Sequence, residues 1–397
     1  MDSMLEKISG LTKSEQAECA KHMMLGGGTR GSPLLVRGNG VRVYDLDGKD
    51  YVDCTSQSWA MYLGHANEEI NRVVAEHMQS LSHVHRGFDT LPRFYLARKL
   101  AQLAPGDLKR ISFTVGGGPA IEAAMKIAYK NTQPSRDFIC LYDSYHGTTL
   151  GMMSAAWIST RASGKLAGGS RFLGLTRPFV RVPNPCCFRC PLGLKREDCS
   201  LACVQMLRLT MERAIAGNAA GIIIEPIQAS GGQIILPRGY LGAVRKVCDD
   251  FNVPPVFDEI QTYARTGRFF AAEYFGVTPD IIVLGKGLGA GLPIAPSLSR
   301  TSCVGLIRMP RNYKPLQTAR LLKWRPRNRS NCSRTQDWRT RAAWASTWTL
   351  VLRGCSVNSL KLATFVWQAC TSASSSCGTL NPRSCSTRMA RQFGRRE

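Results

Sequence analysis

Between Ile111 and Leu284 short apolar runs alternate with segments of helical periodicity, and this alternation limits the fold more than any other feature of the chain. The strand-like runs are Ile111–Thr114, Phe138–Tyr142, Ala219–Glu225, Val256–Asp258 and Ile281–Leu284, and helical patterns span Ala120–Lys130 and Gly239–Asp250. Runs apolar at successive positions suit strands buried on both faces, and helices returning the chain between them make such strands parallel. The expectation is an α/β chain, a mainly parallel sheet with helices on both faces. Ligands of such sheets sit beyond the carboxyl ends of the strands. Val115–Gly118, Asp258 and Lys286 each follow such an end. Upstream, Val41–Asp53 reads as a hairpin around Asp47-Gly48. Helices are predicted over Glu68–Leu81 and Pro92–Leu103, with a short helical lead-in over residues 1–25.

The chain has 397 residues, enough for two ordinary domains or one large domain with a smaller partner. No apolar stretch is long enough to cross a bilayer, and the first residues lack the basic-then-apolar pattern of a secretory signal. A soluble, cytoplasmic protein with no membrane partner is expected. A net charge of +24 suggests nucleic acid at first sight. Its distribution argues otherwise, because residues 301–397 hold 18 of the 52 Lys and Arg but only 2 of the 28 Asp and Glu. They also hold five of the seven tryptophans and six of the fifteen cysteines, without sustained periodicity. Three readings of this stretch stand: a basic nucleic-acid arm, a divergent domain, or the product of a shifted frame or altered splice. Enrichment in Arg, Ser, Cys and Trp with almost no acids favours the last. Residues 300–397 are therefore expected to be a frameshifted, mis-spliced or disordered tail, and no nucleic-acid partner is expected.

Lys286 lies between an apolar run and the glycine-rich turn Gly287–Gly291, and Asp258 ends the apolar run before it. That pairing suits pyridoxal phosphate chemistry, in which a lysine amine forms a Schiff base and a carboxylate keeps a pyridine nitrogen protonated. For either residue alone the ordinary reading, a surface lysine in a turn and an acidic strand end, is preferred. Gly116, Gly117 and Gly118, followed by Pro119, bring backbone N–H groups and a helix start together, which suits an anion, or form a plain turn. In Ser144-Tyr145-His146-Gly147 the aromatic ring either stacks on a flat ligand or simply packs. Cys187, Cys190, Cys199 and Cys203 have the number for a four-thiolate zinc site, although the second spacing is loose. Free thiols in a reducing cytosol are the favoured reading, and no metal is expected.

Taken in order, Thr114–Ala124, Ser144–Gly147, Glu225-Pro226-Ile227, Asp258–Thr262, Arg265–Arg268 and Pro279–Pro293 resemble the class III (ornithine- and 4-aminobutyrate-type) pyridoxal-phosphate-dependent aminotransferases. The branch containing 2,2-dialkylglycine decarboxylase is the nearest likeness. The resemblance runs from about Gly28 to about Pro296, and nothing after about residue 299 matches. It implies fold type I, with residues 1–50 as the N-terminal segment of a small domain, 51–299 as the large cofactor-binding domain, and a small domain left incomplete. It implies that Lys286 forms the internal aldimine and shuttles the proton, that Asp258 pairs with the pyridinium nitrogen, and that Gln261 bonds the ring's phenolic oxygen. Gly116, Gly117 and Gly118 would hold the phosphate, Tyr145 would cover the ring, and Glu225 would lie near the cofactor. Gln57 and Ser230 would face the substrate. The sequence departs from the family where a hydroxyl-bearing Ser-Gly-Ser/Thr-Glu-like stretch becomes Gly116-Gly117-Gly118-Pro119, and where Tyr263-Ala264 replaces the usual glycines. The implied function is transfer of an amino group from an amino acid or amine to a 2-oxo acid, by a homodimer. The alternatives are a decarboxylating transaminase, or a dead remnant, because the threonine and arginine that the family places after its lysine have no match after Ser299.

Overall fold

The first of two compact units, Met1–Cys54, is built on a capped helix and a small sheet. In this computed structural model residues 8, 10–23, 32–85, 87–132, 134–156 and 179–303 are described, and the expectations for residues 304–397 fall outside them. Helix α1 (Lys13–Lys21) begins with a capping box, in which Glu15 N–H donates to Thr12 Oγ1 and Thr12 N–H to Glu15 Oε2. Strands β1 (Leu35–Asn39), β2 (Arg42–Asp45) and β3 (Asp50–Val52) form an antiparallel sheet in that order. The predicted hairpin is β2–β3. Its turn is closed by Asp45, whose carboxylate accepts from Asp47 N–H at 3.1 Å, Lys49 N–H at 2.9 Å and the Tyr51 hydroxyl at 2.7 Å.

The second unit, Thr55–Glu397, carries the α/β architecture. Helix α2 (Glu68–Ser80) starts where the Asn67 side chain accepts from Ile70 N–H at 3.1 Å, with Glu68 and Glu69 in the favourable first turn. Helix α3 (Leu91–Leu103) follows Thr90 and has a proline in its first turn. Then come β4 (Arg110–Thr114), α4 (Gly117–Asn131), β5 (Asp137–Leu141), the single turn α5 (Leu150–Met153) and β6 (Val180–Val182). Helix α6 (Ala202–Arg213), β7 (Ala219–Ile224), the short hairpin β8 (Ile227–Gln228) and β9 (Ile234–Ile235), and α7 (Tyr240–Phe251) come next. Strand β10 (Pro255–Asp258), α8 (Ala271–Phe275), β11 (Ile281–Val283) and β12 (Ala295–Ser299) complete the described chain.

Seven strands form one sheet in the order β4-β12-β11-β10-β7-β5-β6. All pairings are parallel except those of β12, which runs antiparallel to both β11 and β4. Six strands therefore point the same way, as the alternation of elements predicts. Side chains alternate between two apolar layers. Ile139, Leu141, Ile222, Ile224, Phe257 and Ile282 pack on one side with Leu96, Leu207 and Val244 from α3, α6 and α7. Phe138, Cys140, Ile223, Val256, Ile281 and Val283 pack on the other with Ala120, Ile121, Ala124 and Ile127 of α4. Helix α4 starts at Gly117, three residues earlier than predicted, because the glycine turn is itself the first helical turn.

Candidate functional site

The parallel strands bring the predicted residues to one sheet edge. Asp258 ends β10, and Lys286 follows β11, its paired neighbour, with Asp258 in register with Val283. Glu225 follows β7, which pairs with β10 on the other side. Tyr145 and His146 follow β5, and Gly116 follows β4.

The Lys286 amine donates to Gln261 Oε1 at 2.7 Å and stands 5.1 Å from the centre of the Trp59 ring. Burial holds its pKa below the usual lysine value; Asp258 and Glu225 push the other way, and Arg265 adds to the lowering. Lys286 is also backbone-strained, with φ 45° in the left-handed region that non-glycine residues rarely adopt. Asp258 is 4% exposed. Its Oδ1 accepts from Ile260 N–H at 3.1 Å, and its Oδ2 pairs with His146 Nδ1 at 2.8 Å. With Asp258 as a carboxylate, His146 donates that hydrogen bond and holds the carboxylate in one orientation. The other imidazole nitrogen, Nε2, is buried with no hydrogen-bond partner.

Glu225 accepts from Tyr145 N–H at 2.8 Å, so this carboxylate fixes the aromatic segment. Burial pushes its pKa up to about 7, with Asp258 adding to the rise and His146 opposing it. The Tyr145 hydroxyl is pushed up by burial and by the same two carboxylates.

Gly116 caps α4 with no side-chain hydrogen bond at the cap. The segment after β5 presses close to this loop: a Cβ on Gly147 would lie 2.9 Å from Gly118 Cα, and Gly147 has φ +112°. Only glycine fits there. Helix α4 is fifteen residues long, so its N-terminus carries both free N–H groups and the positive end of a dipole.

The substrate-side expectations separate. Gln57 belongs to the turn Ser56–Trp59, where Ser56, Gln57, Ser58 and Trp59 all have φ between 45° and 64°. Gln57 is exposed, and it is Trp59 from this turn that stands near Lys286. Ser230 is half-buried in the β8–β9 turn. That turn is anchored to the segment before Tyr145, since Gln228 Nε2 donates to Tyr142 O at 2.7 Å.

Cys187, Cys190, Cys199 and Cys203 line one small cavity with Cys186, and all five are free thiols. Burial pushes Cys203 up to about 11. Among the described residues no group of three or more His, Cys, Asp or Glu side chains is arranged to hold a metal ion.

The donor set fits pyridoxal phosphate. It offers a half-buried amine of lowered pKa, an oriented carboxylate on the next strand, an amide side chain beside the amine, and a glycine-lined helix start for an anion. Sequence reading missed the His146–Asp258 pair. It also gave no role to Tyr62 and Arg265, which stand behind Lys286: Arg265 Nε donates to Tyr62 Oη at 2.9 Å and its Nη2 to Trp59 O at 3.0 Å. The only signal for His146 was its place after an aromatic residue, which does not reveal a partner 112 positions away.

Residues 29–312 match the family model described as Aminotransferase class-III, which moves the end of the family-like region from about Pro296 to 312. The chain is 34% identical over 280 residues to an adenosylmethionine-8-amino-7-oxononanoate aminotransferase of Geobacter sulfurreducens, covering 67% of this chain and 59% of that protein. It is 32% identical over 271 residues to a leucine/methionine racemase of Thermococcus litoralis, with coverages of 67% and 59%. Among solved structures, an (S)-enantioselective omega-transaminase of Thermomicrobium roseum superposes with a TM-score of 0.67 at 27% identity, covering 87% of this chain and 75% of that one. The chain thus spans about three fifths of the length of these two curated relatives.

Proposed function

Because the chain belongs to the class-III aminotransferase family, we propose that it transfers an amino group from an amino acid or amine to a 2-oxo acid, with pyridoxal 5'-phosphate as cofactor. The observation that carries this reading is the Lys286 amine, half-buried and held by Gln261 beside the strand that ends in Asp258. When bound, pyridoxal phosphate supplies an electron sink for the pair released at the donor's Cα. The Lys286 amine takes the proton from Cα, a task suited to a lysine whose pKa is lowered by burial. Asp258, oriented by His146, holds a proton on the ring nitrogen of the cofactor. Gln261 bonds the ring oxygen, and Tyr145 covers the ring face. Glu225 holds Tyr145 in place through its backbone N–H. The N–H groups at Gly116, Gly117 and Gly118 bind the phosphate, helped by the α4 dipole.

In this reading residues 51–299 form the cofactor domain and residues 1–50 the first segment of a small domain. The active form in this reading is a homodimer, as the likeness to the family implies. Incubating the apoprotein with pyridoxal phosphate and an amino donor and following the oxo product tests the activity. Absence of product over a panel of amino acids and amines, with cofactor bound, would count against it.

A second reading places the chain in the branch of 2,2-dialkylglycine decarboxylase, where carbon dioxide leaves Cα instead of a proton. Its support is the sequence likeness at Gln57 and Ser230 alone; Gln57 is exposed and Ser230 half-buried. Carbon dioxide release from a 2,2-dialkylated amino acid decides between the two.

A further inference from the structure

Two residues behind Lys286 hold it from outside the chemistry assigned above. The Tyr62 ring lies against Gly287, so closely that a Cβ there would be 2.3 Å from three ring atoms. The Tyr62 hydroxyl donates to Tyr263 O at 3.0 Å and accepts from Arg265 Nε–H at 2.9 Å. The Arg265 guanidinium lies 4.2 Å from the centre of the Tyr62 ring, and its Nη2 donates to Trp59 O at 3.0 Å. Trp59 ends four consecutive non-glycine residues in the left-handed region, and its ring stands 5.1 Å from Lys286 Nζ. Lys286 itself is in that region. Such conformations persist only where the surroundings fix them. Here Arg265 grips the strained turn and, through Tyr62, the backbone next to the lysine.

We propose that Arg265 and Tyr62 form a brace that positions the Lys286 amine, with Arg265 holding the Trp59 turn and Tyr62 holding Gly287. Both are positioning residues. The inference rests on reading Lys286 as the cofactor lysine. Arg265 adds a second effect, because its charge disfavours the protonated amine.

The test compares Tyr62→Phe, Arg265→Lys and Arg265→Gln with the wild type. In the apoprotein, the pH midpoint of Lys286 acylation by a neutral amine reagent is read by peptide mass spectrometry, alongside melting temperature. In the cofactor-loaded protein, kcat and KM are measured. Tyr62→Phe keeps the ring on Gly287 and loses the hydroxyl; Arg265→Lys keeps the charge and loses the two-point grip. Both are expected to lower kcat by about 10- to 100-fold, the scale of a misplacement near 1 Å, with KM changed less. Arg265→Gln is expected also to raise the acylation midpoint, while Arg265→Lys leaves it near the wild-type value. Wild-type kcat in Tyr62→Phe and Arg265→Lys would overturn the proposal. So would losses that follow the melting temperature alone, with the acylation midpoint unmoved in Arg265→Gln. Failure of the wild type to bind cofactor at Lys286 strikes the aminotransferase reading instead, and the apoprotein midpoints still report on the brace.

Discussion

Replacing Gly287 by alanine inserts one methyl group between the lysine loop and Tyr62. The added Cβ would sit 2.3 Å from Cε1, Cε2 and Cζ of the ring. Carbon atoms rest at about 3.5 Å or more, so the ring or the loop must give by about 1.2 Å. Gly287 is outside the positive-φ region, so alanine's backbone preference adds nothing and the cost is steric. The ring cannot swing freely, because its hydroxyl is tied to Tyr263 O and Arg265. Overpacking of this kind costs about 1–3 kcal/mol, a fall in melting temperature of roughly 2–12 °C for a unit of this size. If the loop moves instead of the ring, Lys286 moves with it, and a displacement near 1 Å costs about 100-fold in rate. Differential scanning fluorimetry and single-turnover kinetics measure the two effects. A variant with wild-type melting temperature and wild-type rate would refute the packing argument.

On the proposed reading, Asp258→Asn removes the charge that would keep the cofactor nitrogen protonated, and it leaves His146 Nδ1 facing a neutral amide; the rate of the amino-donor half-reaction should fall by about 100-fold or more. Glu225 has a folded pKa raised to about 7, so its contribution to stability is fully present below the unfolded value of 4.5 and is lost as pH rises through about 7. Glu225→Gln should flatten the fall in apoprotein melting temperature between about pH 5 and 7, while a slope remains toward pH 8 from Glu259, raised to about 8 by burial. Asn67→Ala deletes the α2 cap and should cost about 1 kcal/mol in denaturant titration, with the spectrum of bound cofactor unchanged.

Much of the architecture is legible in the sequence because its strands are apolar at successive positions. Ala219–Ile224 and Ile281–Val283 leave no choice but burial on both faces, and the helices between them impose one direction. Lys286, Asp258 and Glu225 could be located for the same reason: each follows such a run. Strand β12 was not legible. Ala295-Pro296-Ser297-Leu298-Ser299 has weak strand propensity and a proline, and only its place between β4 and β11 makes it a strand. The left-handed turn at Ser56–Trp59 holds no glycine, so no local signal marks it. Helix α6 begins inside the cysteine-rich stretch and contains Cys203, so the helical pattern of Val204, Leu207 and Met211 overlaps cysteine spacings that suggest metal ligation. The His146–Asp258 and Tyr62–Arg265 contacts join residues more than a hundred positions apart, and periodicity carries no information about such pairs.

The central claim is that Lys286 is the residue to which pyridoxal phosphate attaches. Adding the cofactor to the purified apoprotein, recording the visible spectrum, reducing with borohydride and mapping the modified peptide tests it most directly. A visible band that disappears on reduction, with the label on Lys286 and absent in Lys286→Ala, is the predicted result. A folded protein that develops no band, or that carries its label on another lysine, would contradict the account.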